Sequence, residues 1–147
     1  MFKLLQVKVK AVTLDQVGSF LVLLCDEDET KVLPISIGPF EAQSIALVLQ
    51  GKTPPRPLTH DLVKTLCEQL GGVVEKIIIT DIMDSTFYAE IYIQHNEQVL
   101  TVDSRPSDAI ALALRCEAPI YMAPRLIEFT YDYEDIISSD RTDEELH

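Results

Sequence analysis

Cysteine is scarce and poorly placed for any cross-linked or metal-bound scaffold. The chain of 147 residues has three, Cys25, Cys67 and Cys116, and no CxxC pair. An odd number inside apolar patterns excludes a disulfide framework and points to buried free thiols in a reducing compartment. Long apolar runs are also missing. None approaches the ~20 residues of a membrane span, and the opening "MFKLLQVKVK" alternates polar with apolar residues as a strand does. A cytoplasmic protein is expected. Basic residues are half as numerous as acidic ones, 12 against 24, and the net charge of −12 argues against a nucleic-acid partner. Its distribution weakens that exclusion. The segment 131–147 holds seven acids and one Arg, and "DEDE" at Asp26–Glu29 adds four more, so the remaining body carries only about −2. Lys8, Lys10, Arg56, Lys64 and Arg105 are candidates for a local basic surface.

The standard catalytic signatures are absent too. No GxxxxGK, GxGxxG, HExxH or GxSxG occurs, and no paired His–Cys set. Glu29-Thr30-Lys31 is an acid-x-Lys triplet of the sort some metal nucleases use, but it sits beside the acidic "DEDE" run.

What is present is a repeat. Residues 13–47 align without gaps on 80–114, with eight identities in 35 positions, among them Phe20/Phe87, Val32/Val99, Pro39/Pro106 and Ala42/Ala109. Each copy reads as strand, turn, strand, polar turn, strand and a Pro-started helix. Phe87, Ala89, Ile91 and Ile93 alternate with Tyr88, Glu90, Tyr92 and Gln94, a period-2 strand. Pro39 and Pro106 suit the first turn of a helix, where a missing N–H costs nothing. Between the copies, "GKTPPRP" is a stiff arm leading to a helix capped by Thr59 and stopped by Gly71. Its Leu62, Val63, Leu66, Cys67 and Leu70 share one face. "APIYMAP" reads as a short strand and "RLIEF" as a helical turn. The fold class expected is α+β, a two-layer mixed β-sheet with helices, built from a duplicated β-β-β-α unit. One domain covers 1–130, followed by an acidic, weakly ordered tail over 131–147. The repeat helices "AQSIALVL" and "AIALAL" are apolar nearly all round and need cover on both sides. A homodimer with a repeat helix near its interface is the expectation.

Chemistry-bearing residues gather at element ends. Arg56, His60 and Asp61 lie where the arm enters its helix, Glu41 at one repeat-helix start, and Asp103, Arg105 and Asp108 at the other; Asp81 and Asp84 precede Phe87. Helix starts offer free N–H groups and a positive dipole end, which suit phosphate. Clustered carboxylates suit a divalent metal that activates water. His60, Asp61 and Asp103 are the catalytic candidates, with His60 as proton-transfer group. Arg56 and Arg105 are the phosphate-binding candidates, and Glu41, Asp103 and Asp108 the candidate ligands of a divalent metal, Mg²⁺ or Mn²⁺. Against this, a first-turn acid such as Asp61, Glu41 or Asp108 stabilises its helix by ~0.3–1 kcal/mol with no further role.

Three stretches, "LPISIGPFEAQSIALVLQGKTPPRPLTHDL", "ITDIMDSTFYAEI" and "VDSRPSDAIALALRCEAPIYM", resemble the bifunctional nuclease domain family over about residues 7–125. The resemblance implies a two-layer α+β fold with a duplicated β/α unit, homodimers, and nuclease activity on RNA and DNA. It implies no agreed catalytic set. Ser85 stands where the family usually has Gly in "D-G-T-F-Y-A", a turn position where Gly accepts positive φ more easily. A non-catalytic dimeric module that binds a small anion or a protein partner is the alternative.

Overall fold

Alternating apolar residues and short polar turns fold the chain into one mixed sheet. The computed structural model describes residues 3–136. The first half forms β1 (Leu5–Leu14), β2 (Phe20–Asp26), β3 (Lys31–Ile37) and α1 (Pro39–Leu49). After α2 (Thr59–Gln69) come β4 (Val73–Met83), β5 (Thr86–His95), β6 (Gln98–Ser104) and α3 (Pro106–Cys116). The short strand β7 (Ile120–Met122), a 3-10 helix over Pro124–Phe129 and β8 (Tyr131–Asp132) complete the description. The fold is α+β.

The sheet order is β6-β5-β4-β7-β1-β2-β3-β8. Strand β7 is the hinge of the arrangement, antiparallel to β1 and parallel to β4. From it two antiparallel meanders run outward, and each ends in a helix opened by proline at its first position. Adding 67 to the bounds of β3 and α1 gives those of β6 and α3, residue for residue.

Period-2 alternation sorts each strand between two faces. Val22 and Leu24 join Ile45 of α1 and Ile110 of α3 in the main core, together with Ile77, Ile79, Ala89 and Ile91 from the second meander. Leu23, Cys25 and Val32 point to the opposite face, where Tyr133 and Ile136 cover them. The acidic segment thus begins with a strand paired to β3 and with packed side chains; its residues 137–147 lie outside the described residues. Cys25 is buried, Cys67 and Cys116 are partly so, and all three are free thiols. Burial pushes each of these thiols up from its ordinary value.

Helix α3 is buried through Ala109, Ile110, Ala111, Leu112 and Ala113. Its cover comes from this same chain, with α1 and α2 beside it and β4 and β5 beneath it. Small alanines let neighbouring backbones close over the helix, and each fully buried Ile or Leu contributes ~1.5–3 kcal/mol. Helix α2 is turned the other way. Leu62, Val63, Leu66 and Leu70 are exposed, while His60 is its buried residue.

Thr59 does not cap α2. The helix starts after Leu58, whose N–H donates to the Asp61 carboxylate at 2.8 Å. At the far end Gly71, at φ +87°, closes the helix as expected: its N–H donates to Glu68 and that of Gly72 to Cys67.

Both hairpins of the second meander turn through two left-handed residues, Asp84 and Ser85 at φ 51° and 65°, and Asn96 and Glu97 at 48° and 66°. This is the turn geometry that matches strand twist, and it favours Asn-Gly or Asp-Gly. Ser85 therefore keeps the conformation that glycine would supply. Glu97 carries the same strain far from the helix starts. Replacing Glu97 with Gly is expected to stabilise the fold by about 1 kcal/mol, read as a Tm increase of a few degrees. An unchanged or lower Tm would contradict this account of the turn.

Candidate functional site at three helix starts

The first turns of α1, α2 and α3 meet, and their polar side chains connect in one network. The His60 ring lies 2.6 Å from Ser44 Oγ through Nδ1 and 2.8 Å from Asp108 Oδ1 through Nε2. Asp108 is a carboxylate and only accepts, so Nε2 carries the proton and donates to it. In that tautomer Nδ1 accepts the Ser44 hydroxyl proton. Ser44 and His60 are both buried. Arg105, just before α3, donates from Nε to Asp108 Oδ2 at 3.0 Å and from Nη2 to Glu41 Oε1 at 2.8 Å. Its side chain stays 67% exposed. Nη1 has no partner among the described residues.

Glu41 and Asp108 are each the third residue of their helix, α1 and α3, and the meeting of the two helix starts brings the two acids together around Arg105. Arg105 lies between them. Its own equivalent is Gly38, and a Cβ there would stand 2.6 Å from Glu41 Oε2. The missing side chain on one copy makes room for the carboxylate that the arginine of the other copy binds.

Two hollows meet at Arg105. One, of about 320 Å³, is lined by Glu41, Ser44, His60, Arg105 and Asp108 together with Phe40. The other is an open groove of about 800 Å³ that reaches Gly38 and Ser107 at the starts of α1 and α3. Helix-start N–H groups and an exposed guanidinium make the junction suited to an oxyanion.

Of the residues singled out in the sequence, His60, Glu41, Arg105 and Asp108 converge here, and three do not. Asp61 points away from the network. Its Oδ1 accepts from Arg115 Nε at 2.6 Å, and Arg115 also donates to the Ala111 and Ser44 carbonyls. Burial alone would raise the Asp61 carboxyl, but the Leu58 N–H and the Arg115 guanidinium outweigh it and hold it below its ordinary value. Its geometry is that of a cap and ion-pair partner. Asp103 lies on exposed β6, directly across from Glu90, beside Asp81, Tyr88 and Arg125. Arg56 is exposed on the arm, with no hydrogen bond or ion pair among the described residues. The carboxylates of Glu41 and Asp108 are spanned by a guanidinium and Asp103 stands apart, so these three do not form a cage for Mg²⁺ or Mn²⁺. No group of three or more His, Cys, Asp or Glu side chains that could hold a metal ion is found among the described residues.

The other sequence candidates resolve into surface ion pairs. Glu29 pairs with Lys8 and Lys10, and Lys31 pairs with Asp132. Ser44 is the site residue that the sequence did not announce. It lies inside an apolar helix, and only its distance from His60 reveals it. Arg115 was hidden in the same way at the end of α3.

The Arg115 side chain is only 6% exposed, so removing its partner charge leaves a buried cation uncompensated. Asp61→Asn is expected to cost about 2 kcal/mol near neutral pH, below the ~3–5 kcal/mol of a fully enclosed pair. The Asp61 pKa is depressed in the fold, so the unfolded chain binds more protons between the two pKa values. The stabilisation is present above the unfolded value of about 3.9 and is lost as pH falls through the folded one. Urea titrations of both proteins should therefore converge on acidification below about pH 4. A stability difference independent of pH would contradict the ion-pair account.

Comparison with known proteins follows the same residues. The family model of the bifunctional nuclease domain matches residues 22–131. An uncharacterized protein of Mycobacterium tuberculosis is 42% identical over 118 residues, which are 80% of this chain and 70% of that protein. Bifunctional nuclease 1 of Oryza sativa subsp. indica is 32% identical over 111 residues, 72% of this chain and 33% of its own length. Bifunctional nuclease 2 of Arabidopsis thaliana is 27% identical over 105 residues, 69% of this chain and 32% of that protein. This chain therefore spans about a third of the plant relatives it matches. On the extent of these matches, the chain belongs to the bifunctional nuclease domain family.

Proposed function

We propose that the protein is a nuclease that hydrolyses phosphodiester bonds of RNA and DNA at the junction of the three helix starts. The observation that carries this reading is one exposed guanidinium shared by two hollows, with the buried Ser44–His60 pair and the half-buried Asp108 behind it. Arg105 and the starts of α1 and α3 hold a phosphate and neutralise charge that develops on it. Nδ1 of His60 takes a proton through the Ser44 hydroxyl, which recovers one from the attacking water. Asp108 stabilises the imidazolium, and the same path returns the proton to the departing oxygen. Glu41, Asp103 and Asp108 hold no metal in this scheme; a Mg²⁺ or Mn²⁺ ion would act from the phosphates of the substrate. The names of the plant relatives support the activity class, and family membership supports its extension to this chain.

One observation favours a second reading. Both ring nitrogens of His60 are engaged, so the imidazole serves equally as a structural tie in a non-catalytic dimeric module that binds a small anion or a protein partner.

The test is cleavage of RNA and DNA by highly purified protein with Mg²⁺, with Mn²⁺ and with chelator. Arg105→Ala is the cleanest variant because its side chain is mostly solvated; kcat/KM should fall about 10²–10³-fold with Tm retained. His60→Asn should lose activity as well. Cleavage that persists unchanged in both variants would identify a contaminant and leave the second reading.

The chain is further proposed to form a homodimer, and the surface that supports this is α2. Leu62, Leu66 and Leu70 are 51%, 52% and 75% exposed and follow one another along α2 and its end, an apolar stripe of the kind that marks interaction surfaces. Light scattering should give about twice the 16.5 kDa chain mass, and Leu66→Glu should return the protein to one. A wild-type mass of one chain would overturn this.

A further inference from the structure

Resting on the nuclease reading, we propose that the groove beside Arg105 binds single-stranded nucleic acid, with bases against Phe129 and Tyr131 and a phosphate on Arg105. The groove holds about 800 Å³ and is lined mainly by apolar side chains, including Phe87, Phe129 and Tyr131. Only Arg105 and Asp84 among its lining residues are charged. Phe129 is 40% exposed and Tyr131 57% exposed. Neither is loosely held. Phe129 ends the 3-10 helix, the Thr130 N–H donates to the Ile127 carbonyl, and Tyr131 pairs with Val32 in the sheet. They form a fixed aromatic wall where the 3-10 helix leads into the outer strand, and the Nη1 edge of Arg105, unengaged among the described residues, supplies the anion contact.

This combination selects against a duplex. Double-stranded nucleic acid presents phosphates outward and keeps its bases stacked within, so binding depends on several cations. The groove offers one. A single strand exposes base faces that stack on aromatic side chains whatever their sequence, and it needs fewer phosphate contacts to be held. The acidic balance of the whole chain, −12, is compatible with such a ligand because stacking carries the affinity and one guanidinium sets the register. A short single strand also places its sugar-phosphate chain at the junction of the two hollows, next to the His60 relay.

The test uses the full chain and a fluorescein-labelled ten-nucleotide DNA of mixed sequence, single-stranded and as a blunt duplex, followed by anisotropy in chelator. The single strand is expected to bind at least tenfold more tightly than the duplex. One phosphate contact predicts a slope of log K against log salt of about −0.7. Tyr131→Ala and Phe129→Ala should each weaken binding about tenfold at unchanged Tm, Tyr131→Phe should bind as wild type, and Arg105→Ala should flatten the salt slope. Equal affinity for the duplex, no measurable binding, or alanine variants that bind as wild type would each overturn the proposal. A single strand that is bound through these residues but never cleaved would instead overturn the nuclease reading and leave the groove assignment standing.

Discussion

The imidazole of His60 accepts from Ser44 on α1 and donates to Asp108 on α3 while belonging to α2, so a single ring joins all three helices. Helix α2 depends on this because its leucines face outward and little apolar burial holds it in place. Its docking is instead polar at the first turn: His60 in the network, Asp61 on Arg115, and the Leu58 N–H on Asp61. A buried imidazole left without partners would cost the desolvation of its nitrogens, about 1–3 kcal/mol each. The satisfied ring has one placement, and that placement fixes where α2 sits. No buried side-chain nitrogen or oxygen lacks a partner among the described residues, so the polar docking is complete.

The same junction builds an asymmetric site from two helix starts of similar sequence. Two equivalent helix starts bring two equivalent carboxylates together, and like charges so close would repel. One arginine resolves the repulsion because its equivalent is glycine, which leaves the Glu41 carboxylate room to turn toward it. Three charges remain in contact with a net of −1, and the guanidinium, mostly in solvent, gains no more than ~1 kcal/mol from either pair. Such weak pairs suit an exchangeable contact.

Much of the architecture was legible from residue order. The period-2 strands, the two Pro-opened helices, the Gly71 stop and the 67-residue offset all rest on local rules, namely strand alternation, the missing proline N–H and left-handed glycine. Fold class followed from them. The orientation of α2 did not, because an apolar stripe at helical spacing normally faces the core, and here the polar first turn overrides it. Ser44 and Arg115 were illegible for a related reason. A serine in an apolar helix and an arginine at a helix end have ordinary local explanations, and only long-range packing places them on His60 and Asp61. Asp103 misled in the opposite sense. It stands two residues from Arg105, but it belongs to β6 whereas Arg105 lies past the end of that strand at the start of α3, and the neighbours of Asp103 on the sheet are Tyr88 and Glu90.

Charge is where the whole-chain description and the site diverge most. Counted over the sequence, the acids weigh against a nucleic-acid partner. In the fold some acids have local cation partners, Glu29 with Lys8 and Lys10 and Asp61 with Arg115, so charge is unevenly spread over the surface. At ordinary ionic strength, exposed charges further apart than about 8–10 Å hardly act on one another. The groove is therefore governed by what lines it, one guanidinium, one carboxylate and a wall of apolar and aromatic side chains. Its electrostatic pull on a polyanion is small, and any affinity must come from contact with flat, unstacked faces.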